Sequence, residues 1–223
     1  MYCVKRFLSL LVLLALCQLA VTGSGTPAWA DDDAASAAHR AREAFARDFA
    51  QAVISVLHDP KKSYGDRKDV LRRSFCDSVD IDWIAKFVLG NAWKGATGEQ
   101  RARYMTLYRK YLTETYVANF AENPDKGIYD IKIFSVNDAE DNDFIVHTQM
   151  QLMNQVNLKV DYRVYENDGS YKVRDIAIEN VSLIVTHRAE FTALAGARGV
   201  DGVIRRLEQL LGQARPEMTL SMK

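Results

Sequence analysis

The chain changes its hydrophobic period once, near Ile128. Before that point apolar residues return every three or four positions, and after it they alternate. Phe45, Phe49, Val53, Val56 and Leu57 form one helical stripe. Pro60 and Gly65 in "DPKKSYGD" break it. A second helix is predicted from Asp66 to about Val79, with Val70, Leu71 and Phe75 inward. Asp80 is placed to cap a short third helix, "IDWIAKFVLG", which Gly90 stops. Thr97 and Gln100 have the spacing of a capping box. The helix behind them carries Tyr104, Leu107, Tyr108, Tyr111, Leu112, Thr115, Tyr116 and Phe120 on one broad face, and Asn123 and Pro124 end it.

From Ile128 onward, "IYDIKIFSV", "FIVHTQMQLM", "VNLKVDYRVYE" and "SYKVRDIAIENVSLIV" read as four antiparallel strands joined by hairpins, with Asp168-Gly169 the clearest turn. In the third, Val156, Leu158, Val160, Tyr162 and Val164 alternate with Asn157, Lys159, Asp161 and Arg163. One face is therefore dry and the other wet. In the last and longest, Ile176 and Ile178 are apolar, and Val181, Leu183 and Val185 would share one face. Its alternation slips near Asp175, which predicts a bulge or a bend. Two helices follow: "RAEFTALAGA", ending at Gly199, and "GVIRRLEQLLG", capped by Asp201 and ended by Gly212. Helices grouped before and after a sheet define an α+β fold, with helices over the dry face.

The two ends stand apart from this pattern. Lys5 and Arg6, the apolar run "FLSLLVLLALC" and the "AWA" of Ala28 to Ala30 follow the order of a secretory signal peptide over residues 1–30. Leu16 is too bulky for the small residue expected before a lipidated Cys17. Residues 31–212 are then one α+β domain and 213–223 a loose tail. Cleavage removes Cys3 and Cys17, so Cys76 is left without a partner for an intramolecular disulfide. With 29 basic and 29 acidic residues in the whole chain, nothing points to a nucleic-acid partner.

Candidate chemistry is sparse. His39, His58, His147 and His187 lack metal-ligand spacing, and there is no G-x-S-x-G or H-E-x-x-H motif. The best acid–base pair is His147 with Asp175, although the parity of His147 places it on the wet face. Asp175 is otherwise a partner for Arg174 or Arg188, or a backbone acceptor at the bend. The dry face itself is open to two readings, ordinary core or the wall of a ligand cavity.

Three stretches together carry a resemblance. "KFVLGNAWKGATGEQRARYMTLYRKYLTETY", "VDYRVYENDGSYKVRDIAIENVSLIVTHRAEF" and "GVDGVIRRLEQL" resemble the periplasmic phospholipid carriers of the MlaC, or toluene-tolerance, family of the maintenance-of-lipid-asymmetry pathway. The resemblance runs from about Phe45 to Leu211. Asn180 stands where that family commonly has glycine. Asparagine tolerates a left-handed backbone better than most residues, so a turn there can survive.

The resemblance implies N-terminal helices, a four-stranded antiparallel sheet and C-terminal helices enclosing an apolar cavity, NTF2-like in outline. It implies a monomeric lipid shuttle in the periplasm of a Gram-negative bacterium, exchanging phospholipid with an inner-membrane ABC transporter complex and an outer-membrane lipoprotein complex. No catalytic residue, metal or cofactor is implied beyond the bound lipid. Some relatives are associated with hopanoids, so a hopanoid cargo is an alternative, as is a small enzyme using Asp175 and His147. The sheet wall is expected from Val156, Leu158, Val160, Tyr162, Val164, Ile176, Ile178, Val181, Leu183 and Val185. The helices would add Leu89, Trp93, Tyr108, Leu112 and Phe191.

Overall fold

Short polar side chains set where the helices begin. The structure, a computed structural model, describes residues 28–59, 61–121, 128–167 and 169–212. In it, α1 spans Ala28–Leu57, α2 Tyr64–Ser78, α3 Ile81–Leu89, α4 Asn91–Gly95 and α5 Gly98–Ala121. Residues 1–27 of the expected 1–30 leader, Pro60 of the first break, the Asn123–Pro124 stop, Asp168 of the hairpin turn and the tail 213–223 lie outside the described residues.

Helix α2 begins two residues before Asp66, because Ser63 and Asp66 form a capping box. Ser63 Oγ accepts the Asp66 N–H, and Asp66 accepts the Ser63 N–H, both at 3.2 Å. Asp80 Oδ1 caps α3 by accepting the Trp83 N–H at 3.3 Å. Thr97 and Gln100 cap α5 reciprocally at 3.0 and 3.2 Å, as their spacing implies. Between α3 and α4, Gly90 takes φ +60°, ψ −134°. A Cβ there would sit 3.1 Å from Thr192 Cγ2 and 3.3 Å from Arg188 Nη2, so the bare backbone admits a close neighbour.

The sheet is an antiparallel meander of five strands rather than four: β1 Ile128–Asp138, β2 Asp143–Leu152, β3 Asn157–Asn167, β4 Ser170–Ile178 and β5 Val181–Ser182. The long last strand expected from sequence is interrupted. Glu179 and Asn180 both adopt positive φ, 49° and 66°, and turn the chain back on itself. Asn180 thus holds a left-handed conformation, which asparagine tolerates better than most residues. Ser182 Oγ then accepts the Val185 N–H at 3.1 Å, the contact of a helix cap. Helix α6, Leu183–Gly212, starts there and kinks at Gly199, φ 65°. Leu183 and Val185 are therefore helical, and Val181, Leu183 and Val185 share no strand face. Asp201 lies inside the helical stretch rather than at its cap, and its Oδ1 accepts from Gln100 Nε2 at 3.0 Å.

The predicted bulge is present. Arg163 faces Asp175 while Val164 faces Val173, which leaves Arg174 as the extra residue of β4. Phe144, Val146, Leu158, Val160, Tyr162 and Val164 are buried on the dry face. Phe45 and Phe49 of α1 pack onto it, with ring centroids 4.8 Å from Tyr171 and 6.0 Å from Tyr162. At β4 the sheet meets α2, α3 and α6. There Val79 bridges in parallel to Val173, and the Asp80 N–H donates to Val173 O at 2.9 Å. From Ala41 onward the chain packs as one unit.

Arg174 leaves the ladder to stack between elements. Its guanidinium lies 3.4 Å from the Tyr165 ring and 4.7 Å from Trp83, and it pairs with Asp80 at 3.0 Å. Trp83 stacks on Phe87 at 5.0 Å, and Arg188 of α6 covers Phe87 at 4.5 Å. The row ties β3, β4, α3 and α6 together.

Candidate functional site

Two apolar clefts open between the sheet and the helices. The first lies between α1 and the dry face, with walls from Phe45, Ala46, Phe49 and Ala50 on one side and Ile131, Val146, Thr148, Tyr162, Val164 and Val173 on the other. The second lies where β4 meets α2, α3, α5 and α6. Phe75, Val79, Ile84, Leu112, Tyr116, Val173, Asp175, Ile176, Leu183, Ile184 and His187 line it. They hold about 320 and 350 Å³ of unfilled space, open mouths included. The enclosed room comparable with measured cavities is only about 10 and 30 Å³, far below the roughly 300–1,000 Å³ of small-molecule sites, so both clefts are narrow seams. Val173 belongs to both, so β4 is their common partition.

The residues expected from sequence divide among several places. Tyr162 and Val164 fall in the first cleft, and Leu112, Ile176 and Leu183 in the second. Leu89, Tyr108, Leu158, Val160 and Phe191 are buried in the core, and Val156 and Ile178 pack partly against it. Trp93 sits between the Lys86 ammonium at 5.9 Å and the Arg101 guanidinium at 5.3 Å, away from both clefts. Val181 and Val185 are 57% and 55% exposed, on the strand and helix turn beside Leu183. The α1 wall was visible as the Phe45–Phe49 stripe but had no assigned partner. Phe75 likewise was visible only as an inward helix position. Ile184 and His187 gave no sequence signal for the cleft, because they reach it only through a helix start that reads as strand.

The suggested His147–Asp175 pair does not form. His147 and Asp161 are directly opposed in the β2–β3 ladder, and Nδ1 of His147 lies 2.9 Å from Asp161 Oδ1. Asp175 is instead a backbone acceptor at the bend. Its Oδ1 accepts the Ile176 N–H at 2.7 Å and the Ile184 N–H at 3.3 Å. Its other suggested partners are engaged elsewhere: Arg174 with Asp80, and Arg188 with the Phe87 carbonyl. The titrations near the second cleft are governed by burial. Burial raises the pKa of Tyr108, and that of Tyr116 with help from Tyr111 and Asp175. It lowers that of His187, against the opposing fields of Glu190 and Asp175. Among the described residues no group of three or more His, Cys, Asp or Glu could hold a metal ion, and no helix is long and apolar enough to cross a membrane. The walls are mainly apolar, with Thr148 inserted in the first cleft and Asp175 and His187 in the second.

Known proteins supply the class. The profile of the MlaC protein family matches residues 47–209, and the chain belongs to that family. A curated relative from Haemophilus influenzae, the intermembrane phospholipid transport system binding protein MlaC, is 21% identical over 150 residues, 66% of this chain and 69% of that protein. Among solved structures, a phospholipid-binding protein from Ralstonia solanacearum, crystallised with a phospholipid, superposes with a TM-score of 0.64 at 22% identity. The match covers 76% of this chain and 96% of that one, and it shows a shared fold.

Proposed function

We propose that this chain is a periplasmic phospholipid carrier, exported by a signal peptide over residues 1–30, that shuttles lipid between an inner-membrane ABC transporter complex and an outer-membrane lipoprotein complex. Its folded region, 31–212, acts as a monomer and performs no catalysis. One observation carries the reading: two apolar clefts share the partition Val173, an arrangement suited to a ligand with two tails. Family membership and the phospholipid held by the Ralstonia protein support the cargo.

The energetics favour such a device. At about 0.8 kcal/mol per methylene, two acyl chains cost on the order of 20 kcal/mol or more in water. A dry cleft replaces one apolar medium with another, so exchange with a bilayer is nearly neutral. The protein supplies only wall area and a mouth. Loading widens the two clefts into one NTF2-like cavity as α1 and α6 yield, with the headgroup left in water. Tyr162, Val164, Leu112, Ile176 and Leu183 line the tails in this reading. Leu89, Trp93, Tyr108, Val156, Leu158, Val160, Ile178 and Phe191 back the walls, and Val181 and Val185 stand at the rim.

Native mass spectrometry of the protein purified from bacterial periplasm tests this. A stoichiometric adduct with the mass of a diacyl phospholipid is expected, and a hopanoid mass would redirect the cargo. Leu183→Glu, placing a charge on the second cleft's wall, should abolish the adduct while circular dichroism shows the fold retained. A bare mass for the wild type, with no uptake from phospholipid vesicles, would refute the carrier.

A further inference from the structure

The second cleft carries two side chains that no acyl tail requires, Asp175 and His187. The bulge at Arg174 brings Asp175 beside the start of α6, where its Oδ1 accepts the Ile184 N–H at 3.3 Å. That donor is one of the N–H groups a helix start leaves without an internal partner. A carboxylate there also meets the positive end of the helix. The bond reaches from the sheet to the first turn of α6, and that turn presents Leu183 and Ile184 to the cleft.

His187 lies one turn further along. Its Nδ1 is 3.3 Å from the Tyr108 hydroxyl, and its ring lies 6.0 Å from Tyr111 and 6.2 Å from Phe191. The groups that titrate around it are Tyr108, Tyr111 and Tyr116 from α5, Asp175 from β4 and Glu190 from its own helix. The residues that α2 and α3 bring to the cleft, Phe75 and Ile84, are apolar. A neutral imidazole fits these surroundings, with Nδ1 accepting the Tyr108 O–H. An imidazolium is disfavoured there by burial, which strips water from its charge, and it would force the Tyr108 hydroxyl to turn from donating to accepting.

We propose that Asp175 and His187 form a proton-responsive latch on the first turn of α6, holding the second cleft shut when His187 is neutral and releasing it when His187 is protonated. The proposal rests on the second cleft being part of the lipid site. Protonation removes the acceptor for Tyr108 and draws the ring toward water and the exposed Glu190. The turn that moves carries Leu183 and Ile184 outward and widens the cleft. Burial, which lowers the His187 pKa, keeps the latch closed at neutral pH and places its release on the acid side.

Release of a fluorescent phospholipid from the loaded protein to phosphatidylcholine vesicles, followed by dequenching, tests this. These vesicles keep their charge between about pH 8 and about pH 5, the range in which histidine titrates. The wild-type release rate should rise several-fold as the pH falls through that range. His187→Gln should be slow and flat. Asp175→Ala should be fast throughout, and Asp175→Asn, which keeps an acceptor oxygen for Ile184, should be closer to the wild type at neutral pH. A wild-type rate that is independent of pH, or a His187→Gln rate that still rises, overturns the latch. A protein that never loads lipid overturns the carrier reading itself, and that appears before any pH series is run.

Discussion

Replacing Gly90 with alanine tests how closely α3 and α6 must approach. The backbone at Gly90 is at φ +60°, ψ −134°, next to a region that is essentially glycine-only. Holding alanine there costs about 1–3 kcal/mol. The new methyl also meets Thr192 Cγ2 at 3.1 Å and Arg188 Nη2 at 3.3 Å. The arginine tip can move, but Thr192 sits on the helix itself, so a further overpacking cost of about 1 kcal/mol is expected. Together these predict a loss of about 2–4 kcal/mol, or roughly 4–16 °C in Tm for a domain of this size. Urea unfolding followed by circular dichroism measures it, with an unchanged slope marking a pure stability effect. The control is Gly95→Ala, whose added methyl meets nothing within 4 Å. It should be neutral or stabilising by about 0.4–1 kcal/mol. A Gly90→Ala loss below about 1 kcal/mol, or an equal loss in the control, refutes the reasoning.

Two further outcomes follow from named residues. At Asn180, φ 66°, substitution by glycine should be tolerated, whereas valine should cost about 1–2 kcal/mol in the same unfolding assay; equal stabilities would mean that the turn is not held left-handed. His187 has a lowered pKa in the folded protein because burial disfavours its charge. The unfolded chain therefore takes up the proton first as the pH falls below about 6.5. Its contribution to stability is full above that pH and is lost on acidification, so melting curves should show a pH slope that shrinks in His187→Gln. A slope that is identical in the variant would place the titration elsewhere.

Local signals carried most of the fold. The Phe45–Leu57 stripe, the Asp80 and Thr97 caps, the alternation of β3 and the slip near Asp175 each appear where the sequence placed them. The end of the sheet was illegible for a physical reason. "VSLIV" is rich in branched apolar residues, and its period fits a strand as well as a buried helix start. Two left-handed residues and the Ser182 cap decide the matter, and neither shows in hydrophobic spacing. The site was less legible still. Lining a cleft requires residues far apart in sequence to meet, as Phe49 meets Tyr162 or Tyr108 meets His187. Alternation tells which face of a strand is dry, but not which part of that face a helix leaves uncovered.

The row from Tyr165 through Arg174, Trp83 and Phe87 to Arg188 gives the protein an optical gauge of its own. Indole emission responds to a nearby cation, and Trp83 has a guanidinium 4.7 Å from its ring, supplied by the sheet. Trp93, by contrast, has its cations from Lys86 and Arg101, on the helices alone. If β4 and α3 separate when the second cleft widens, the Trp83 signal changes and the Trp93 signal does not. The motion can thus be followed by fluorescence, without a label, in single-tryptophan versions of the chain.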